Sequence, residues 1–289
     1  MNRLSFLFWL LSAACAAAQT SGSQFGTDNY VEYIPGDLPL ILTSPHGGRL
    51  KPDGVPGRTY GVTGADANTQ ELTHAIANEI FTRGGRRPHL VFSHLHRSRL
   101  DPNREVVEAA QGNPSAILAW EEYHRFIEQA RAAVVKKHGF AFLIDMHGQN
   151  HKGERVELGY LHSPAELNQP AEVLNSPGFV ARGSLALLVK RSKMPYTEIL
   201  HGTQSIGALI AANGFRCTPS PQMPVPDEPY FKGGYTTARH CTGQTTGFQL
   251  EANRTRLRDT NGNRLKFARA FVTALEHFLA AHMRVTLRK

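Results

Sequence analysis

The stretch Leu38-Pro39-Leu40-Ile41-Leu42-Thr43-Ser44-Pro45-His46-Gly47-Gly48 decides how the rest of the chain is read. Leu40–Thr43 is a short apolar run bounded by proline and glycine, the pattern of a buried strand. It runs into Ser-Pro-His-Gly-Gly. Glycines after a strand end let the backbone turn sharply and pass close to a ligand. His46 is therefore expected at the carboxyl edge of a strand, where open α/β sheets build their sites.

Working outward, the pattern alternates. The apolar spacing of Leu72, Ala75, Ile76 and Ile80 predicts a helix over Thr69–Arg83, with Asp66 or Asn68 as its cap. A strand over His89–Ser93 follows, then a helix over Ser115–His138 closed by Gly139. Phe140–Ile144 reads as the central strand and leads into Asp145-Met146-His147-Gly148. Later come a strand over Val156–Leu161 and helices over Gly178–Arg191 and Thr203–Ala212. Pro219–Pro229 is a proline-rich extended loop, Phe248–Glu251 a strand, and Gly262–His282 a closing helix. This order predicts a single α/β domain over residues 38–289, with helices on both faces of its sheet. The Gly- and Pro-rich stretch Arg49–Ala65 is a long loop, which points to a functional role.

Composition bounds the function. The 289 residues carry a formal charge of +8, which favours anionic partners such as carboxylate substrates or cell-wall polymers. The basic residues are spread out, with no aromatic-basic interleaving, which argues against nucleic acid. Residues 1–18 read as a signal peptide: Arg3, then apolar Leu4–Leu11, then Ala16-Ala17-Ala18 before cleavage at Gln19. The apolar run is too short to span a membrane. The expectation is a secreted or periplasmic protein whose residues 19–37 form a leader, with Tyr30–Ile34 as a short first strand within it. Cleavage leaves Cys217 and Cys241, a pair able to form one disulfide in an oxidising compartment.

Two strand ends thus send histidines, His46 and His147, to one edge of the sheet. Asp66 lies between them in sequence, at a helix start. Two imidazoles and one carboxylate make a catalytic zinc shell with an open position for water. Such chemistry also needs a carboxylate to move protons, and Glu251, at the end of an apolar strand, is the candidate. The connection His96-Arg97-Ser98-Arg99-Leu100-Asp101-Pro102-Asn103-Arg104 supplies guanidinium groups suited to carboxylates.

Taken in order, these motifs resemble those of N-formylglutamate amidohydrolases. They are Ser-Pro-His-Gly-Gly, Asp66 ahead of a helix, Arg97…Asp101-x-Asn103-Arg104, Asp145-x-His147, Lys232-Gly233-Gly234…Arg239-His240 and Gln249-Leu250-Glu251. The resemblance implies a three-layer α/β/α fold with a mixed central sheet, similar to zinc carboxypeptidases and aspartoacylases. It implies one Zn2+ on His46, Asp66 and His147, with Glu251 as general base and Arg97 polarising the scissile carbonyl. Asn103 and Arg104 would hold a substrate carboxylate, with Lys232 and Arg239 in further substrate contact.

The chain departs from the pattern where carboxypeptidases place a glutamate three residues after the first histidine; here that residue is Arg49. Asp66 is then the second ligand, with Glu71 its competitor, and other divalent metals also suit such a shell. The expected activity is exported hydrolysis of a C–N amide bond beside a carboxylate, on a small acidic N-acyl or peptide substrate. The alternative is a secreted binding module that keeps the fold without the chemistry.

Overall fold

The computed structural model of the chain describes residues 22–288. The signal-peptide reading of residues 1–18 lies outside them. Eight strands form one mixed sheet in the order β1-β2-β4-β3-β5-β8-β6-β7. They are β1 (Gln24–Phe25), β2 (Val31–Ile34), β3 (Leu40–Ser44), β4 (His89–Ser93), β5 (Ala141–Gln149), β6 (Val156–Gly159), β7 (Cys217–Thr218) and β8 (Thr245–Asn253). The centre, β4-β3-β5-β8, is parallel, so four carboxyl ends open on one edge. β2 pairs antiparallel to β4, and β6 antiparallel to β8.

The sheet separates two apolar layers. Leu40, Leu42, Phe142 and Ile144 face one side and pack with Ile76 and Ile80 of the Thr69–Gly84 helix and Phe271 and Phe278 of the Asn261–Met283 helix. Ile41, Val91 and Leu143 face the other and meet Tyr123, Ile127 and Val134 of the Pro114–His138 helix. Strand side chains alternate between faces, so the continuous apolar runs read from sequence are strands buried on both sides. The architecture is the expected three-layer α/β/α.

Three expectations need correction. Residues 19–37 are not simply a leader. Val31–Ile34 pairs with β4 along its whole length, and Gln24–Phe25 adds a further strand. Val31–Ile34 is the expected first strand; Gln24–Phe25, two exposed residues at the sheet edge, is too short to leave a pattern in the sequence. The Gly178–Arg191 helix is two pieces, Pro177–Arg182 and Ala186–Ser192. The break falls at Gly183, where the Tyr196 and His162 side chains press so close that no Cβ fits. Finally, Cys217 and Cys241 are free thiols, both buried. They belong to the two different apolar layers, with the sheet between them, so no disulfide joins them. Among the described residues no helix is long and apolar enough to cross a membrane.

The interior also contains neutral histidines. Burial is the main cause that lowers His89 and His162 from 6.5 to about 4, and His124 to about 3. Their folded-state pKa values lie below the unfolded one, so the unfolded chain binds more protons between those limits. Their contribution is complete above about pH 6.5 and is lost as pH falls. His89, hydrogen-bonded to the Tyr33 hydroxyl (2.8 Å), tests this. Chemical denaturation of His89→Gln should show a stability-versus-pH slope shallower than wild type by ~1.4 kcal/mol per pH unit between about pH 6.5 and 4. Parallel slopes would mean that His89 does not titrate on unfolding.

Candidate metal centre

The parallel strands bring the chemistry to one edge. His46 lies two residues past the end of β3, and His147 sits near the end of β5. Asp66 is fixed beside His46 by its backbone, since its N–H donates to the His46 carbonyl (3.0 Å). Its carbonyl accepts from the Thr69 hydroxyl (2.8 Å) at the start of the helix. The carboxylate is therefore free of the capping role that its position suggested and turns inward; Asn68 is the cap residue and makes no side-chain cap bond. The two glycines after His46 permit close approach rather than a left-handed turn. A Cβ on Gly47 would collide with Thr69 and Gln70, and one on Gly48 with the backbone of His94 and Leu95.

His46 Nδ1, His147 Nδ1 and Asp66 Oδ2 converge. The two nitrogens are 3.1 Å apart, and each is 3.3 Å from the carboxylate oxygen. All three residues are buried. Donors bonded at 2.0–2.1 Å to a tetrahedral ion are separated by about 3.3 Å, so the triangle fits a zinc-sized cation. Glu71 is excluded from this group because its carboxylate pairs with Arg49 instead. Asp66, and not Glu71, is therefore the carboxylate that stands with the two histidines.

The outer ring nitrogens show why the inner ones are lone pairs. His46 Nε2 lies 2.6 Å from Asp101 Oδ1, and His147 Nε2 lies 2.8 Å from Asp145 Oδ2. A carboxylate only accepts, so each Nε2 carries a proton, and in the neutral ring each Nδ1 then presents a lone pair. Three acceptors then face one point. The backbone N–H of Gly148 reaches Asp66 Oδ2 (3.1 Å), but no donor serves the two nitrogens. The Asp101 and Asp145 carboxylates are held in turn. Asp101 accepts from Arg97 Nε (2.9 Å) and from Asn103 N–H (3.0 Å); Asp145 accepts from the Thr43 hydroxyl (2.6 Å). Burial acts to lower the His147 pKa, but Asp145, Asp66 and Glu251 outweigh it and hold the pKa well above the ordinary value. Burial likewise acts to raise Asp66, and the two histidines overcome it and hold it well below. Both directions mark a site that draws positive charge.

A cleft of about 210 Å³ opens above this triangle. Arg97, Asn103, Arg104, Lys232 and Glu251 line it, together with Tyr230 and Phe231. Glu251 is the register partner of His147 across β5 and β8, so the two side chains share a sheet face. Its Oε1 accepts from Gln249 Nε2 (2.8 Å), while its Oε2 is buried without a partner. Burial is the chief cause that lifts its carboxyl to about 8, with Asp66 and Glu157 adding to it against His147 and Arg97.

Two expected substrate residues stand differently. Arg239 is exposed, donates to the Tyr235 hydroxyl (2.7 Å) and lies over Trp120, outside the cleft lining. Asn103 is in the cleft with half of its amide engaged: Oδ1 accepts from Thr236 N–H (2.8 Å), while Nδ2, 3.4 Å from the protonated His147 Nε2, finds no acceptor there. His151, a spare histidine in sequence, pairs with Glu157 (2.9 Å) and stacks on Phe231. Asp101 and Asp145 stand in the motifs read from sequence, but their contacts to His46 and His147 were not foreseen. The signal for Asp145 was present, since i and i+2 on a strand share a face.

No family model matches the chain, and no curated protein matches it in sequence. Solved structures do. N-formylglutamate amidohydrolase from Ralstonia eutropha superposes with a TM-score of 0.50 at 15% identity, covering 86% of this chain and 96% of that one. A gene product of Agrobacterium tumefaciens gives 0.49 at 11% identity, over 85% and 93% of the two chains. A metallo-carboxypeptidase from Pseudomonas aeruginosa, solved with (2-guanidinoethylmercapto)succinic acid, gives 0.45 at 12%, over 92% and 65%.

Metal content and affinity test the centre directly. The purified chain should bind about one divalent ion, and His46→Ala should bind none. Asp101→Asn, which removes the carboxylate that orients His46, should weaken affinity about 10–100-fold. Unchanged affinity in both variants would place any ion elsewhere. By its sheet order, layers and superposition, the chain has the fold of the Ralstonia eutropha N-formylglutamate amidohydrolase.

Proposed function

We propose that the protein is an exported, metal-dependent hydrolase that cleaves a C–N amide bond next to a carboxylate. One observation carries the reading. Three inward acceptors need a cation, and a buried carboxylate oxygen of Glu251 stands unpartnered in the same cleft. A divalent ion bound by His46, Asp66 and His147, zinc on our reading, would lower the pKa of water to about 7 and polarise a carbonyl. Glu251 accepts the water's proton and delivers it to the leaving nitrogen. At about 8 the carboxyl keeps its proton at neutral pH; the positive charge of an ion bound beside it would lower that value toward neutrality, which suits two-way transfer.

Arg97 lines the cleft beside Asp66, with Nη1 3.5 Å from its Oδ1, and is placed to meet the carbonyl oxygen as negative charge develops. Arg104 and Lys232 supply positive charge at the cleft for the substrate carboxylate. Asn103 is fixed in the floor through its Oδ1 and keeps its Nδ2–H2 for the substrate carboxylate. Substrates are N-acyl amino acids or peptide C-termini, including cell-wall peptides. The net charge of +8 favours such acidic molecules outside the cytoplasm. The complete donor set and the free base argue against an inactive binding module.

The test is release of free amine from a panel of N-acyl amino acids and short peptides by the metal-loaded protein. Glu251→Gln should lower kcat by at least ~10²-fold while the ion stays bound. Arg104→Ala should chiefly raise KM for carboxylate-bearing substrates. Full turnover by Glu251→Gln would overturn the assignment of the base. No amine release from any member of the panel by metal-loaded protein would overturn the reaction.

A further inference from the structure

Behind the cleft two buried histidines form a line that the proposed reaction does not use. Glu128 Oε1 lies 2.8 Å from His240 Nδ1. His240 Nε2 lies 2.8 Å from His124 Nδ1, and His124 Nε2 lies 3.1 Å from the carbonyl oxygen of Pro102. Both ends of the line, a carboxylate and a carbonyl, only accept. Three hydrogen bonds need three protons, and two neutral imidazoles bring two. The line closes only when it takes one proton from solvent. That proton makes His240 an imidazolium facing Glu128, with His124 as the neutral Nε2–H tautomer.

The surroundings favour this placement. Arg131 donates to both Glu128 oxygens (2.7 Å each), and the carboxyl is held down at about 2, first by the His240 hydrogen bond. Glu128 is thus the anion, not the donor. Burial, with Arg131 and Arg239, acts to lower the His240 pKa, and the Glu128 hydrogen bond and charge act to raise it; the net lies below the ordinary value, so the third proton loads on the acid side of neutrality. The rings of Trp120 and Tyr235 close around His124 at 4.4 and 5.4 Å.

The far end of the line lies in the site. Pro102 belongs to the turn Asp101-Pro102-Asn103-Arg104, which holds His46 through Asp101 and lines the cleft through Asn103 and Arg104. The short helix Tyr235–His240 grips this turn twice. Thr236 N–H donates to Asn103 Oδ1 at one end, and His240 acts through His124 at the other. We propose that Glu128, His240 and His124 are positioning residues, a proton-loaded clamp that fixes the Asp101–Arg104 turn. With three protons the turn is held; when the third leaves, one bond opens and the turn loosens. The value of this to catalysis rests on the reaction proposed above. The clamp itself does not.

The test is NMR of the full chain as purified, with 15N-labelled histidine and asparagine. On the acid side of neutrality, His240 should show both ring nitrogens protonated, and His124 only Nε2. As pH rises toward neutrality, His240 should lose its proton, and the side-chain amide of Asn103 should shift with the same midpoint. Glu128→Gln supplies an N–H to His240 Nδ1, so that two neutral imidazoles suffice. His240 should then stay neutral through the range in which the wild type is protonated, and the Asn103 shift should vanish. A wild-type His240 that stays neutral throughout the acid range in which the chain is folded overturns the proposal, as does an Asn103 amide that ignores its titration. The wild-type data decide even where the variant folds poorly. Neither readout is activity, so a protein that cleaves no amide yet shows this pattern keeps the clamp and loses the reaction.

Discussion

Two buried imidazoles are forced to point their unprotonated nitrogens at each other. His46 and His147 each give the outer N–H to a buried aspartate, Asp101 and Asp145. The inner nitrogens, 3.1 Å apart, then share their space with Asp66 Oδ2. Without a cation this arrangement sets lone pair against lone pair in a region closed to bulk water, which is costly. Asp101 and Asp145 are therefore as much a part of the centre as its ligands. They settle the tautomers, and the tautomers settle what the centre can accept.

The fold supplies the placement. Parallel pairing of β4, β3, β5 and β8 brings four carboxyl ends to one edge. Register sets His147 opposite Glu251 and Asp145 opposite Gln249, so that an acid–base candidate stands beside a ligand. The connection after β4 bends back so that Asp101 and Asn103 approach the histidines and Arg97 reaches Asp66. Arg58 braces this connection from behind, donating to the Arg97 carbonyl (3.1 Å) and the Glu108 carbonyl (3.2 Å).

Sequence pattern carried the centre well where local rules apply. Apolar runs ending in His46 and His147 are strands because central parallel strands are buried on both faces. Asp66 could be chosen because it stands at a helix start near the first ligand. What sequence did not reveal depends on pairing across the sheet or between distant segments. Asp101 reaches His46 across 55 residues, and His124 reaches His240 across 116. Cysteine counting cannot know that Cys217 and Cys241 lie in different layers. Tyr30–Ile34 showed its strand, but the two-residue strand Gln24–Phe25 that completes the sheet edge gives no apolar run. Arg239 looked like a cleft residue by its neighbours in sequence, but a short helix turns it outward.

The central claim is that His46, His147 and Asp66 hold one cation through two Nδ1 nitrogens and a carboxylate oxygen. Anomalous-difference maps from a crystal of the zinc-loaded protein, collected across the zinc edge, test it most directly. The account predicts a single strong peak inside the triangle, bonded to His46 Nδ1, His147 Nδ1 and Asp66 Oδ2, with a fourth position open toward the Glu251 side of the cleft. An empty triangle in zinc-saturated crystals, or zinc bound through the Nε2 atoms after displacement of Asp101 and Asp145, would contradict it.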